Sequence, residues 1–302
     1  MEPIVDFKIL PERLRQAAQV VTVAVASPAD SHTEEVIERS IAEQFARFIL
    51  VANAAKADIA RRLAADYPDK VTLIVADDDD DAARHAVKEV REGRADVLMK
   101  GSLNTDNLLR AVLNKEWGIL PKGRVLTHIA VAQIPAYHKL LFFTDAAVIP
   151  YPTHEQRVAQ VAYLADMLHA FGIQRPRISL IHCAETVNDK FPHTLGYGEI
   201  CERAAKGEWG ELVVDGPLDL RTSCDPVGLQ LKGIQSPLEG DADAVVVPDI
   251  EVGNVLYKSL PLFAGAQMAG TLQGTLAPVV LPSRGDDLEA KFHSLALATM
   301  GC

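Results

Sequence analysis

The chain has few cysteines and no long apolar run, and each shortage excludes a class of protein. Its four cysteines, at positions 183, 201, 224 and 302, form no Cys-x-x-Cys pair and have no histidine at metal-finger spacing. We therefore expect reduced, structural cysteines and no metal site. The longest apolar segment, 140–148, is interrupted by Thr144 and Asp145 and is far shorter than the roughly 20 residues that span a bilayer.

Basic residues are outnumbered by acidic ones, which leaves a formal net charge of −11 at pH 7. Binding to a nucleic-acid backbone needs clustered Lys and Arg, so we expect no nucleic-acid partner. Because no apolar run is long enough to span a bilayer, we expect no membrane partner either. The chain begins Met1-Glu2-Pro3, without the basic residues and apolar run of a secretory signal. A cytoplasmic location is the expectation.

Common catalytic fingerprints are missing too. There is no Gly-x-Gly-x-x-Gly after a strand, no Gly-Lys-Ser/Thr of a phosphate loop and no Gly-x-Ser-x-Gly elbow. The histidines are scattered, and a lone histidine is more often a surface or core residue than a catalyst. Five aspartates at 77–81 lack the spacing and the closing Glu of an EF-hand, so we expect them to precede a helix, whose dipole favours acids at its start.

What the chain does contain is an alternation of aliphatic runs and amphipathic segments. At 302 residues and 48% hydrophobic, it is long enough for a large core. The alternation predicts parallel βα units with right-handed crossovers. The predicted strands are 20–26, 48–51, 71–75, 97–99, a run ending at 143, 178–181, 212–214, 243–247 and 278–281.

Helix boundaries follow from capping residues. Ser31 with Glu34 forms a capping-box pattern ahead of a helix predicted to end near Arg47, and Thr153 with Gln156 forms another ahead of a helix that runs to about Phe171. Further helices are expected over 54–67 and after position 82.

Polar residues follow several of these strands, where an α/β sheet places its ligands. Glycine at 101 and 285 allows close backbone approach, helix N-termini after Thr105 and Asp286 offer N–H groups, and Arg284 can bind a phosphate through two hydrogen bonds. The pattern indicates handling of a phosphoryl or acyl-phosphate group. The four clusters are Lys100-Gly101 with Thr105, Thr144-Asp145, Asp249 with Asn254 and Lys258, and Ser283-Arg284.

Seven runs resemble a known family. They are Leu-Met-Lys-Gly-Ser-Leu-Asn-Thr at 98–105, Thr-His-Ile-Ala-Val at 127–131, Phe-Thr-Asp-Ala-Ala at 143–147, Val-Asp-Gly-Pro-Leu at 214–218, Lys-Gly-Ile at 232–234, Pro-Asp-Ile-Glu-Val-Gly-Asn-Val-Leu-Tyr-Lys at 248–258 and Pro-Ser-Arg-Gly-Asp at 282–286. Together they resemble the phosphate acetyltransferase and phosphate butyryltransferase family, and Ser-Arg-Gly-Asp-Asp-Leu-Glu-Ala-Lys is closer to its butyryl branch.

The resemblance implies a fold like that of isocitrate and isopropylmalate dehydrogenases. Such a fold has two α/β/α domains with mainly parallel sheets and a cleft between them, usually in a homodimer. We expect a discontinuous first domain, 1–137 with 274–302, and a second domain, 138–273. The implied reaction interconverts a short-chain acyl-CoA and phosphate with an acyl phosphate and CoA, with CoA as a substrate and no tightly bound cofactor or metal.

The resemblance also assigns roles. Ser283 would stabilise the tetrahedral transition state, and Arg284 would neutralise phosphate, with Lys100, Gly101, Thr105, Asn254 and Lys258 as further phosphate or CoA ligands and Arg124 as a weaker one. In the acetyl branch the base is an aspartate seven residues beyond the serine, where this chain has Ala290. Glu289 is therefore expected as the base slightly ahead of Asp286, which we expect to cap the following helix.

Two alternatives stay open at the sequence level. One is a catalytically silent CoA-binding or scaffold subunit, which the alanine at 290 favours and intact Ser283 and Arg284 oppose. The other is an NAD-dependent decarboxylating dehydrogenase of the same fold, which would need acidic metal ligands clustered on one helix; the sequence contains no such motif.

Overall fold

The structure, a computed structural model, describes residues 2–17, 20–283 and 285–302. It is a mixed α/β fold whose helices and strands lie, in chain order, at α1 Leu10–Gln16, β1 Val21–Ala26, α2 Ser31–Ala42, β2 Ala46–Asn53, α3 Asp58–Asp66, β3 Val71–Ala76, α4 Asp79–Arg91, β4 Val97–Lys100, α5 Thr105–Val112, β5 Thr127–Gln133, β6 Leu140–Thr144, α6 His154–Ala170, β7 Arg177–Ile181, α7 Tyr197–Ala205, β8 Val213–Leu218, α8 Leu220–Cys224, α9 Pro226–Leu231, β9 Ala244–Val246, α10 Ile250–Ala264, β10 Gln267–Gln273, β11 Val279–Val280 and α11 Leu288–Met300. Short 3₁₀ turns lie at Phe7–Ile9, Ala54–Lys56 and Pro192–Thr194.

The chain forms two compact units. The flanking unit contains Phe7–Leu126 and Ala269–Cys302, and the central unit contains Thr127–Met268 with the N-terminal residues up to Asp6. The sequence placed the two joints at 137/138 and 273/274, and contact density places them at 126/127 and 268/269. The predicted domain boundaries stay a prediction. Like the predicted first domain, the flanking unit is built from two separate segments of the chain.

In the flanking unit the strand order is β3-β2-β1-β4-β11-β10. Every pairing in this set is parallel except that of β10 with β11. Strand β1 is a continuous aliphatic run, Val-Thr-Val-Ala-Val-Ala, and all six residues are buried, as expected of a central strand with helices on both faces. Helix α11 packs against α1 and α2, and α4 packs against β1 and β2.

In the central unit the order is β5-β6-β9-β7-β8. Strands β5 and β6 are antiparallel, and the remaining pairs are parallel. Their inward side chains form one apolar cluster with residues of α10, including Phe143, Val245 and Leu256. The predicted mainly parallel α/β architecture is confirmed, but the antiparallel pairs β5/β6 and β10/β11 were not foreseen.

Two local predictions were wrong. The capping residue of α2 is Asp30 and not Ser31: its carboxylate accepts from the backbone N–H of Thr33 at 3.0 Å and from the Thr33 hydroxyl at 2.6 Å. The helix also ends at Ala42, because Gln44 adopts a positive φ of 63° and the chain turns into β2.

Two other local predictions are confirmed. Thr153 and Gln156 form the full capping box of α6. Of the five aspartates, Asp78 caps α4 and the next three occupy its first turn. No helix within the described ranges is long and apolar enough to cross a membrane.

Candidate active site

The residues predicted from the sequence are divided between the two units. Asn254 and Lys258 belong to the central unit, and the other described candidates belong to the flanking unit. These are Lys100, Gly101, Thr105, Arg124, Ser283, Asp286 and Glu289. Arg284 lies outside the described residues.

In the flanking unit, Lys100 and Ser283 follow neighbouring parallel strands. The register pairs Leu98 with Val279 and Met99 with Val280, so β4 and β11 end side by side. Lys100 is the last residue of β4, and Ser283 comes three residues after the end of β11. Because the strands are parallel, the loops that follow them leave the same edge of the sheet. The parallel pairing of β4 and β11 therefore brings these two segments to the same sheet edge.

The loop after β4 is held close to the loop after β1. The Gly101 N–H donates to Ala26 O at 2.9 Å, and a Cβ at Gly101 would collide with the backbone oxygen of Ser27. Glycine is needed here for backbone packing. Lys100 is 4% exposed, and its ammonium donates to the carbonyls of Gly101 at 3.1 Å and Leu103 at 3.3 Å. The lysine therefore orders its own loop, and α5 then begins at Thr105.

The segment after β11 forms a tight turn around Ser283. The Ser283 N–H donates to Asp286 Oδ2 at 2.7 Å, and the Asp286 N–H donates back to Ser283 O at 3.2 Å. The cap of α11 is Asp287, whose Oδ1 accepts from the Ala290 N–H at 2.8 Å. The expectation that Asp286 caps this helix was therefore wrong: its carboxylate reaches back to the serine instead, and this leaves the serine side chain exposed at the turn.

Glu289 lies on the first turn of α11 and already has partners. Its carboxylate accepts from Arg39 of α2 at 2.6 Å and lies 3.5 Å from His293 Nε2, one turn along the same helix. The Arg39 guanidinium in turn lies 3.8 Å above the Phe292 ring. These contacts hold α11 against α2. Glu289 therefore has a structural role that does not depend on a substrate.

A polar cluster at the carboxyl edge of the same sheet was missed by the sequence analysis. Asp79, at the start of α4, accepts from Ser27 at 3.0 Å, Asn53 at 3.1 Å and Lys56 at 3.1 Å. Burial disfavours the charge, but the bonds from Asn53, Lys56 and Ser27 outweigh it, so the pKa of Asp79 lies below its usual value. Ser27 follows β1, Asn53 ends β2 and Lys56 lies three residues further on, so the positions of the strand ends could have indicated this cluster.

In the central unit, Asp145 is fully buried and accepts five hydrogen bonds. Oδ1 accepts from the N–H groups of Ala147 at 2.7 Å and Val148 at 2.8 Å. Oδ2 accepts from the Thr127 hydroxyl at 2.8 Å, the Ile149 N–H at 3.2 Å and the His128 N–H at 3.3 Å. The carboxylate therefore fixes the loop after β6 to the start of β5.

Helix α10 is packed against that loop. A Cβ at Gly253 would collide with the backbone oxygen of Asp145, so only glycine permits this approach. Asp249 caps the helix by accepting from the Val252 N–H at 3.0 Å. The Asn254 amide donates to Ala146 O at 3.3 Å, and the Lys258 ammonium lies 5.3 Å from the Tyr257 ring. Both side chains are on α10, which the sequence analysis had not identified as a helix.

The remaining candidates are simpler. Arg124 is exposed in a turn, where its N–H donates to Pro121 O at 3.1 Å. All four cysteines are free of disulfides. The exposed Cys183 follows β7, and its sulfur lies 3.7 Å from His182 Nε2. Across the described residues, no cluster of His, Cys, Asp or Glu is arranged to hold a metal ion.

Comparison with known proteins gives consistent results. The family model described as "Phosphate acetyl/butaryl transferase" matches residues 75–299. Phosphate butyryltransferase from Clostridium beijerinckii is 36% identical over 292 residues, which cover 96% of each chain. A branched-chain phosphotransacylase from Enterococcus faecalis superposes with a TM-score of 0.81 at 32% identity, over 93% of this chain and 99% of that one.

A more distant likeness concerns the fold alone. A 4-hydroxythreonine-4-phosphate dehydrogenase from Klebsiella pneumoniae superposes with a TM-score of 0.52 at 17% identity, over 94% of this chain and 100% of that one. A dehydrogenase-like fold is consistent with this superposition.

Proposed function

The chain belongs to the phosphate acetyl/butyryl transferase family and is a phosphate acyltransferase, and we propose that it interconverts a short-chain acyl-CoA and phosphate with an acyl phosphate and CoA. The acyl group would be butyryl or acetyl. CoA is a substrate in this scheme, no tightly bound cofactor or metal takes part, and the proposed location is the cytoplasm.

The observation that carries the proposal is the adjacency of the Lys100 and Ser283 loops at one sheet edge. The exposed Ser283 and the loop that contains Gly101 then leave the same sheet edge, and the sequence adds Arg284 beside the serine. Guanidinium groups bind phosphate through two parallel hydrogen bonds. This set of groups suits a reaction in which phosphate enters or leaves.

The proposed chemistry is direct attack within a ternary complex. A carboxylate removes the proton from the CoA thiol, whose ordinary pKa of about 8.5 leaves it mostly protonated at neutral pH. The thiolate attacks the acyl carbon, the carbon–sulfur bond forms, and the carbon–oxygen bond to phosphate breaks. Ser283 donates a hydrogen bond to the oxygen that becomes negative, and one such donor is worth about 3 kcal/mol in comparable sites. Arg284 and the Lys100 loop hold the departing phosphate.

The base stays a prediction, and the contacts of the two candidates support a change in their order. Asp286 lies within hydrogen-bond distance of the Ser283 backbone, whereas Glu289 is held by Arg39. A base must reach a proton on a substrate beside the serine. We therefore propose Asp286 ahead of Glu289.

A homodimer is the proposed assembly, and α10 supports it. In the single chain this helix exposes four apolar side chains at helical spacing: Val252, Val255, Leu262 and Phe263. Phe263 is 83% exposed and Leu262 is 72% exposed. Contiguous apolar patches of this kind usually mark protein interfaces, and a second copy is the partner that the family resemblance implies.

The decisive experiment measures CoA release from acyl-CoA substrates with and without phosphate. We expect release that depends on phosphate, persists in EDTA and needs no NAD, and a series from acetyl-CoA to hexanoyl-CoA gives the chain-length preference. Phosphate-independent release, or loss of activity in EDTA, would contradict the proposal. NADH formation would favour the dehydrogenase alternative, and CoA binding without turnover would favour the silent subunit.

A further inference from the structure

A cavity in the central unit contains a buried arginine that the proposed reaction does not use. Its volume is about 430 Å³, within the range of small-ligand sites. It lies at the start of α6, beside the 3₁₀ turn that precedes α7 and beside the cap of α10. Its walls include His154, Arg157, His193, Pro248 and Asp249.

Arg157 is 7% exposed, and its hydrogen-bond partners among the described residues are neutral. One guanidinium nitrogen donates to Pro248 O at 2.8 Å, the Tyr197 hydroxyl lies beside the group, and Nε has no partner. Within the described residues no carboxylate forms an ion pair with it. Burial lowers the pKa of Arg157 by more than the Tyr197 hydroxyl and the charge of Asp249 raise it. Buried charges in proteins are normally paired, so an anion is the missing component.

The other groups that face the cavity compensate that positive charge only in part. Asp249 also lines the cavity and its charge favours the charged form of Arg157, but burial outweighs this effect, and Asp249 Oδ1 is occupied by the cap of α10. Burial, followed by the charge of Arg157, lowers the pKa of His193 to about 4, so this histidine is neutral near pH 7. His154 faces Glu199 at 3.0 Å. Helix α6 starts at the cavity wall and is 17 residues long, so its dipole adds positive potential there.

We infer that this cavity is an oxyanion site, with Arg157 as its anchor, and that it takes a phosphoryl group. The choice of phosphate over carboxylate rests on the proposed function, because phosphate, acyl phosphate and CoA all carry phosphoryl groups. The planar guanidinium suits such a group, and Nε supplies an N–H with no competing partner. Free phosphate and the phosphates of CoA share this chemistry, so both serve as probes.

The test is thermal unfolding at pH 7.5 with inorganic phosphate, compared with chloride at equal ionic strength. The background is Arg284→Met, which removes the phosphate ligand of the proposed active site. At ten times Kd, phosphate should raise Tm by about 2 °C in this background. Adding Arg157→Met should abolish the rise, and the matched variant Arg175→Met, at an exposed arginine of the same unit, should keep it. A second arm uses CoA in the absence of phosphate.

If the increase in Tm with phosphate or with CoA requires Arg157, the site is supported. The probe that gives the increase identifies the source of the phosphoryl group. No rise with either probe, or a rise that survives Arg157→Met, overturns the inference. Should Arg157→Met fail to fold, Arg157→Lys keeps the charge without the planar fork, and calorimetry should show phosphate affinity reduced roughly tenfold; unchanged affinity would overturn the inference equally.

The transferase assay on the wild type is independent of these measurements. If CoA release depends on phosphate but no increase in Tm depends on Arg157, only the oxyanion site is contradicted. If the increase in Tm depends on Arg157 but no acyl transfer is detected, only the proposed function is contradicted.

Discussion

Replacing Asp145 by asparagine should strongly destabilise the central unit. The substitution keeps the shape of the side chain and exchanges one carboxylate oxygen for an NH₂ group. If the amide oxygen takes the place of Oδ1, the bonds from Ala147 and Val148 survive. The NH₂ group then faces the N–H groups of His128 and Ile149, which lose their acceptor. The Thr127 hydroxyl can rotate and accept instead.

The expected loss follows from those two orphaned donors. A buried N–H without a partner costs about 1–3 kcal/mol, so the two together cost about 4 kcal/mol. For a chain of this size that corresponds to a fall in Tm of about 6 °C. Turning the amide over orphans Ala147 and Val148 instead, at a similar cost.

The assay is urea and thermal unfolding followed by circular dichroism. Asp249→Asn is the matched control, because Asp249 is a helix cap in the same unit and asparagine caps a helix as well as aspartate. We expect the control to change stability by a few tenths of a kcal/mol. If Asp145→Asn loses less than about 1 kcal/mol, the five contacts do not act as argued.

The other predictions concern catalysis and pH. Arg284→Lys should raise the apparent KM for phosphate without a change in circular dichroism, and an unchanged KM would place Arg284 outside the phosphate site. Cys183→Ser should keep activity within a few-fold; a collapse of kcat in a folded protein would indicate a thioester intermediate. Asp286→Asn should lower kcat about 100-fold, with recovery at high pH where thiolate is abundant, and Glu289→Gln should lower it only a few-fold; the reverse order would assign the base to Glu289. Because the folded-state pKa of Asp79 is lowered, its stabilising contribution is present above about pH 4 and is lost as pH falls through that folded pKa. The Tm difference between wild type and Asp79→Asn should therefore shrink on acidification, and a constant difference would contradict this.

The sequence predicted elements well where a pattern is local. The aliphatic run of β1 and the capping box at Thr153 depend on residues within a few positions of one another, and both are present as expected. Strands β5 and β10 were missed because their runs carry polar or small residues. Helix α10 was missed because its residues were interpreted as strand-end ligands rather than as a helical face.

Within the candidate site, the sequence identified the residue types and the neighbouring loops. Ser283 and Lys100 follow adjacent strands because the strand order places β11 beside β4. The partners of the individual carboxylates could not be predicted. Asp286 turns back to Ser283, Asp287 takes the cap, and Glu289 meets Arg39, 250 positions away in the chain.

The sequence by itself determined the α/β architecture and the family, since periodicity, capping and motifs are encoded in consecutive residues, and its phosphate-site residues stay a prediction. Only the tertiary structure decided which charges are compensated. Asp145 accepts from Thr127, and Arg157 donates to Pro248 O, so groups from distant parts of the chain surround both charges. Compensation of a buried charge depends on every group within a few ångströms, and folding, not sequence proximity, sets which groups those are.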